Sequence, residues 1–388
     1  MLDYGLDETQ KQMVALARKI AREKIIPVRA ELDEKQEFPW GVMKVLADAG
    51  LFGIYIPEEY GGMGFGSFEN VLVIEELSKY CLGICLSFAA SGLGAYPILL
   101  FGSHEQKLKY LPDIASGKKL AAFGITESGA GSDAASIRST AKKQGDCYIL
   151  NGVKQWITNG GEAETYSVVA KTDPAKGPRG ASAFVLEKGQ PGFTFGKKEN
   201  KLGIRASATR ELVFEDCKVG KENMLGREGM GFMVAMKTFD MTRAGIAIQG
   251  VGLATGALNE SIKYAYERVT FGKAIISHQA VQHMLANMAT EIEAARALTY
   301  QAARYADAGA KDMSKYSSMA KLFATDMCMR VTTDAVQIFG GYGYMREYPV
   351  EKMMRDAKIL QIYEGANQIQ RTVIGQHLIK EAAGHKID

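Results

Sequence analysis

Close to the C-terminus the chain reads Gln361-Ile362-Tyr363-Glu364-Gly365-Ala366-Asn367-Gln368-Ile369-Gln370-Arg371, a carboxylate between an aromatic ring and a glycine just ahead of a predicted helix. Charge among apolar neighbours is costly, so Glu364 needs a reason to be there. The plain alternative is an acid in a first helical turn, which the dipole favours. Gly129-Ala130-Gly131-Ser132-Asp133-Ala134 fits G-x-G-x-x-A, but the residues through Lys142-Lys143-Gln144-Gly145-Asp146 read as strand and turn, which argues against a dinucleotide fold. Its exposed amides could still hold phosphate, with Thr126 and Ser132 as hydroxyl donors, or form only a tight turn. In Trp156-Ile157-Thr158-Asn159-Gly160 an indole beside a hydroxyl at a strand end could stack on a flat ring and bond its edge; a core Trp before an Asn-Gly turn is the other reading. Arg268-Val269-Thr270-Phe271-Gly272 follows a helix and precedes His278-Gln279, offering an arginine to a diphosphate or to the helix end. Gln337-Ile338-Phe339-Gly340-Gly341-Tyr342-Gly343 closes another helix with glycines that allow close backbone approach or simply cap it.

Three regimes carry these residues. From Leu6 to about Leu120 apolar residues recur at helical steps: Met13, Leu16, Ala17, Ile20 and Ala21, then 71–78 and 105–110. Pro27, Pro39 and Pro57 mark turns, and Gly61-Gly62-Met63-Gly64-Phe65-Gly66 reads as a mobile loop. From 121 to 229 short runs (148–150, 166–170, 182–186, 211–214) separated by Asn-Gly and Gly-rich turns predict a compact antiparallel β domain. From 230 onward, 253–268, 281–308, 313–339 and 367–380 predict long helices in a bundle. The expected domains are 1–120, 121–229 and 230–388, arranged α, β, α.

With 388 residues, 47% hydrophobic, 23% charged and a formal net charge of +3, the chain has an ordinary globular composition and no electrostatic case for nucleic acid or a membrane. No run approaches 18 uninterrupted apolar residues, and the start, Met1 to Glu8, lacks an apolar leader; the expectation is a cytoplasmic protein. Cys81, Cys85, Cys147, Cys217 and Cys328 read as buried thiols, with Cys81 and Cys85 on one helix face. The five histidines form no ligand motif, so no metal is expected.

Taken together, the segments are recognisable. Phe123-Gly124-Ile125-Thr126-Glu127-Ser128-Gly129-Ala130-Gly131-Ser132-Asp133, Trp156 to Gly160, Arg268 to Gly272, Gln337 to Gly341, Tyr348-Pro349-Val350-Glu351 with Met354-Arg355-Asp356-Ala357, and Ile362-Tyr363-Glu364-Gly365 occur in family order and spacing. Over essentially its whole length the chain resembles the acyl-CoA dehydrogenase family, nearest its short-chain, butyryl and medium-chain members. The resemblance implies an α+β multidomain fold: an N-terminal helical domain, a middle antiparallel β-barrel and a C-terminal four-helix bundle. It implies a homotetrameric FAD enzyme of fatty-acid β-oxidation that desaturates an acyl-CoA thioester to the 2-enoyl-CoA, with electron-transferring flavoprotein as acceptor. Glu364 would take the α-proton while the β-hydride goes to flavin N5, the thioester oxygen being held by the Glu364 N–H and a ribityl hydroxyl. Burial should raise the Glu364 pKa and the helix start lower it.

The same resemblance sets Phe123, Ile125, Thr126, Gly131 and Ser132 against flavin and pyrophosphate, and Trp156, Ile157 and Thr158 over the ring and its N5 edge. Arg268, Phe271 and Gln279 would reach the ADP half of a partner subunit's FAD, with Gln337, Gly340 and Gly341 a further partner contact; Ala366 and Gln368 follow the base. Ser132, Asp240, Arg243, Tyr363 and Gly365 fall to the substrate. Some members carry the base on the helix after Phe239-Asp240, but Ala244 to Ala247 contain no acid. Glutaryl-type members place an arginine at the acyl end. Cys85-Leu86-Ser87-Phe88-Ala89-Ala90 has no cation, which disfavours a dicarboxylic substrate. Small Ala89, Ala90 and Gly92 leave room for a short, medium, branched or cyclic acyl group. An oxidase-like or nitroalkane-oxidising flavoenzyme and a non-catalytic flavin electron-relay protein are the competing readings.

Overall fold

The computed structural model describes residues 4–384; positions 1–3 of the start read above, and 385–388 with His385, lie outside it. The first block is helical: α1 (Glu8–Ile20), α2 (Arg29–Lys35), α3 (Trp40–Asp48), α4 (Ser67–Ser78), α5 (Leu82–Phe101) and α6 (His104–Ala115). Asp7 caps α1, its carboxylate accepting from the Gln10 N–H. The 61–66 loop, expected to be mobile, is tied down: the Met63, Gly64 and Phe65 N–H groups donate to the carbonyls of Gly53, Ile56 and Ile54 at 2.8–2.9 Å. α5 is long and apolar enough to cross a membrane by length and composition, yet most of it is packed inside the molecule. Cys81 stands before α5 in extended backbone, so it does not share a helix face with Cys85; four thiols are buried and Cys147 is half-buried.

The second block is an eight-stranded sheet of β1 (Ala121–Gly124), β2 (Thr140–Gln144), β3 (Cys147–Thr158), β4 (Thr165–Lys171), β5 (Ala181–Glu187), β6 (Phe193–Phe195), β7 (Thr209–Gly220) and β8 (Met224–Leu225). Its order is β6-β7-β3-β2-β4-β5-β8, with β1 added beside β4. Most pairings are antiparallel as expected, but β1 runs parallel to β4, and Thr140 of β2 meets Lys171 of β4 in parallel. The sheet is therefore mixed. A parallel pair needs a long connection, here β2 and β3, and short apolar runs carry no sign of it.

β4 is buried along its whole length, and its two faces serve two cores. Tyr166, Val168 and Ala170 join the main core, while Val169 joins a second cluster with Tyr55, Ile98 and Phe123. Between them the buried Ser167 hydroxyl donates to the Gly94 carbonyl of α5 at 2.8 Å. A Cβ on Gly94 would lie 2.4 Å from the Ala122 nitrogen, so glycine is what lets α5 lie against β1.

The third block holds α7 (Gly231–Glu267), a hairpin of β9 (Val269–Thr270) and β10 (Lys273–Ala274), α8 (Gln279–Asp307), α9 (Met313–Phe339), α10 (Pro349–Leu360) and α11 (Asn367–Gly384). α7 starts well before the expected 253, because Gly231, Gly245, Gly250 and Gly252 dilute its apolar pattern. α10 has no counterpart among the expected helices; charged residues interrupt its apolar stripe.

Candidate active site

Tyr363, Glu364 and Gly365 form the turn between α10 and α11. Glu364 adopts φ +50°, a left-handed conformation uncommon for a residue with a Cβ. The turn is held from two sides. Gln370 Nε2 donates to the Glu364 and Gly365 carbonyls at 3.1 and 2.9 Å, and the buried Lys321 Nζ donates to the Gly365 carbonyl at 2.9 Å. Glu364 lines a cavity of about 410 Å³ whose walls come from α4, α5, α7, the ends of β1 and β3, and α11. One face of its side chain opens into that cavity while the surroundings are largely apolar. Burial therefore pushes its pKa to about 7, against the Thr242 hydroxyl that donates to its Oε2 at 2.8 Å and the nearby Arg243 and Lys321 charges. Burial wins over any helix-start effect. Lys321 is likewise pushed by burial down to about 7, with Glu364 resisting.

Phe123, Ile125, Thr126, Gly131, Ser132, Trp156, Ile157, Thr158, Arg243, Tyr363 and Gly365 line the same cavity. Residues some 240 positions apart in sequence thus face one space. Trp156 is 56% exposed at φ +58°, so it is not a core tryptophan. Among the described residues the Thr126, Ser132 and Thr158 hydroxyls have no protein hydrogen-bond partner. A Cβ on Gly131 would meet nothing within 4 Å. An indole face, free hydroxyls and an open glycine loop suit a flat ring with a polar edge and a diphosphate. Another wall, Leu86, Ala89, Ala90 and Leu93 of α5 with Ile246 of α7, is apolar, and Gln249 there accepts from the Tyr363 hydroxyl at 2.6 Å.

Family models match three consecutive stretches: acyl-CoA dehydrogenase N-terminal domain over 7–118, middle domain over 122–217 and C-terminal domain over 229–379. The chain belongs to the acyl-CoA dehydrogenase family. It is 47% identical over 374 residues to an acyl-CoA dehydrogenase of Bacillus subtilis (strain 168), covering 96% of this chain and 98% of that protein. Butyryl-CoA dehydrogenase from Megasphaera elsdenii superposes with a TM-score of 0.95 at 46% identity, covering 97% of this chain and all of the other. A chain solved in work on the electron transferring flavoprotein of Acidaminococcus fermentans and flavin-based electron bifurcation gives 0.96 at 50% identity, covering 98% and 100%.

In this acyl-CoA dehydrogenase family member the remaining expected site residues lie elsewhere. Arg268, Gly340 and Gly341 line a separate hollow, the Arg268 guanidinium 5.5 Å from the Tyr342 ring centre. Phe271 is 96% exposed; Gln279 begins α8 and Gln337 lies in the last turn of α9. Ala366 and Gln368 adjoin the Glu364 turn without lining the cavity. Arg243 is not a surface charge. It is buried, its Nη1 donating to Asp240 Oδ1 at 2.9 Å, and Asp240 itself does not line the cavity.

Residues not foreseen from the sequence support the site. Thr242 holds the carboxylate. Lys321 and Gln370 hold its turn. Lys154 of β3, fully buried and pushed down by burial to about 8, donates to Glu127 Oε1 at 2.7 Å and to the Ile125 carbonyl at 3.1 Å. Lys321 left a sign: Ser317, Lys321, Ala324 and Cys328 fall on one helical stripe, a lysine among buried residues.

Proposed function

We propose that the cavity is the active site of an FAD-dependent acyl-CoA dehydrogenase acting on an uncharged short- or medium-chain, branched or cyclic acyl group. The observation that carries this is a carboxylate near neutral pKa facing one cavity with an exposed indole, free hydroxyls and an apolar tail pocket. Phe123, Ile125, Thr126, Gly131, Ser132, Trp156, Ile157 and Thr158 would hold the FAD. Bound FAD would supply the two-electron oxidant for the β-hydride. Glu364 removes the α-proton, and the electrons of that C–H bond become the Cα–Cβ double bond. Among the described residues no backbone carbonyl takes the Glu364 N–H, which would therefore be available to the thioester oxygen. Tyr363 and Gly365 flank the substrate, and Arg243 with Asp240 shapes the wall beside it. Arg268, Phe271, Gln279, Gln337, Gly340 and Gly341 sit apart from this cavity; that fits a role in a partner subunit's site within a homotetramer, with Ala366 and Gln368 next to the base. The likeness to the chain from the bifurcation work supports electron-transferring flavoprotein as acceptor; the place in fatty-acid β-oxidation in the cytoplasm is inferred from the family alone.

Arg243 is the sole basic residue lining the cavity among the described residues, and it is already paired with Asp240. A distal carboxylate would be buried without a partner there. Anaerobic titration of the yellow enzyme with straight-chain acyl-CoAs of four to eight carbons is expected to bleach the flavin, and glutaryl-CoA to leave it oxidised. Bleaching by glutaryl-CoA alone would overturn the substrate assignment; bleaching by none would favour the electron-relay reading. Faster reoxidation by oxygen than by electron-transferring flavoprotein would favour the oxidase.

The Glu364 pKa near 7 gives a pH prediction. A base works deprotonated, so the rate of flavin reduction should fall as pH drops through about 7, tenfold per unit on the acid side. A rate that is flat down to pH 5 would contradict the assignment.

A further inference from the structure

Resting on the reading of Glu364 as base, the residues behind its turn extend it. Lys321 on α9 is fully buried, its Nζ donating to the Gly365 carbonyl at 2.9 Å and to Asn367 Oδ1 at 2.7 Å. Among the described residues no carboxylate oxygen lies within 4.0 Å of it. A buried ammonium without a contacting carboxylate is costly, and methionine would fill the stripe without that penalty. The charge therefore calls for a use.

The charged groups around the turn narrow the choice. From α7 comes Arg243, engaged by Asp240. From α9 come Lys321 and Asp326, the latter bound by Arg371 of α11 at 2.8 Å. From α10 comes Asp356, bound by Lys352 at 2.5 Å. Beside Arg243, which also favours the Glu364 charge, Lys321 is the cation that no contacting carboxylate claims. Its two acceptors, Gly365 and Asn367, straddle the end of the turn, and the Asn367 N–H closes that turn on the Gln361 carbonyl at 3.0 Å. With Gln370 it restrains a backbone that glutamate would otherwise avoid.

We propose that Lys321 is a positioning residue for proton abstraction: through Gly365 and Asn367 it holds the left-handed Glu364 turn, and its ammonium supplies the counter-charge that favours the carboxylate form of the base. The two groups are close enough to stabilise each other's ionised form, which limits how far burial moves either away from its charged state.

The test compares Lys321→Met, Lys321→Gln and Glu364→Gln as FAD-loaded enzymes. Anaerobic flavin reduction by butyryl-CoA is followed from pH 6 to 9, with FAD content and affinity for S-butyl-CoA, a thioether lacking the acidic α-proton. Lys321→Met should move the acid limb about one pH unit upward. Reduction would then be about tenfold slower at pH 6.5 and within about threefold of the parent at pH 9. FAD content and S-butyl-CoA affinity should stay within twofold. An unmoved limb, whether the rate is unchanged or lowered equally at every pH, would show a packing role only and overturn the proposal. Lys321→Gln, which keeps a donor without the charge, decides by the same criteria if the methionine variant does not fold. Normal reduction of Glu364→Gln would instead remove the base assignment itself, whatever Lys321 does.

Discussion

Glu364→Gln is expected to give a folded, yellow protein whose flavin is reduced by butyryl-CoA about 10³–10⁴-fold more slowly. Glutamine matches the glutamate in volume and can still accept from the Thr242 hydroxyl, which lies 2.8 Å from Oε2. The loop that lines the cavity at Gly131 and Ser132 is untouched, so cofactor content should not change. What disappears is a group able to accept a proton. Single-turnover reduction under anaerobic conditions, with absorbance giving the FAD stoichiometry, separates the two effects. A variant that bleaches within tenfold of the parent rate would place the base elsewhere. A colourless variant would show that Glu364 supports the fold instead.

Lys154→Met should be the most damaging substitution away from the base. Lys154 bonds Glu127 and the Ile125 carbonyl, and Glu127 in turn accepts from the Arg138 and Ser139 N–H groups at 2.6 and 2.9 Å. One buried ion pair thus ties β3 to both ends of the loop that carries Gly129 to Ser132. Burial works against the Glu127 charge, yet Lys154 and these N–H groups hold its carboxyl below the usual range. Removing the ammonium leaves a buried carboxylate without its cation, a loss of about 3–5 kcal/mol. The loop should also close less well on a diphosphate, so the variant should purify with less than one FAD per chain. Urea unfolding and the flavin-to-protein absorbance ratio check both parts. Stability within about 1 kcal/mol of the parent, with full flavin, would mean that the pair neither supports the loop nor the fold.

Much of the architecture could be read from spacing alone. Long alanine- and methionine-rich stripes announced α8 and α9, and Asn-Gly turns between short apolar runs announced β3, β4, β5 and β7. The parallel β1–β4 pair could not be read, because strand direction depends on connection and not on composition. The start of α7 was hidden by glycines that serve packing: a Cβ on Gly252 would lie 2.4 Å from the Glu75 carbonyl oxygen. The site divides in the same way. Residues that would touch ligand stood out through unusual neighbours, as with Glu364 between Tyr363 and Gly365. Residues that touch only other protein groups, such as Gln370 and Lys154, look like any polar side chain until the fold brings them together.

The β1–β4 pairing also bears on synthesis. As the polypeptide leaves the ribosome, α5 emerges before β1, β4 and α7, the later elements that pack against it. During that interval an uncharged twenty-residue helix is bare to the cell. A chain truncated before α7 would therefore leave much of that apolar surface without its cover, and such surface favours aggregation.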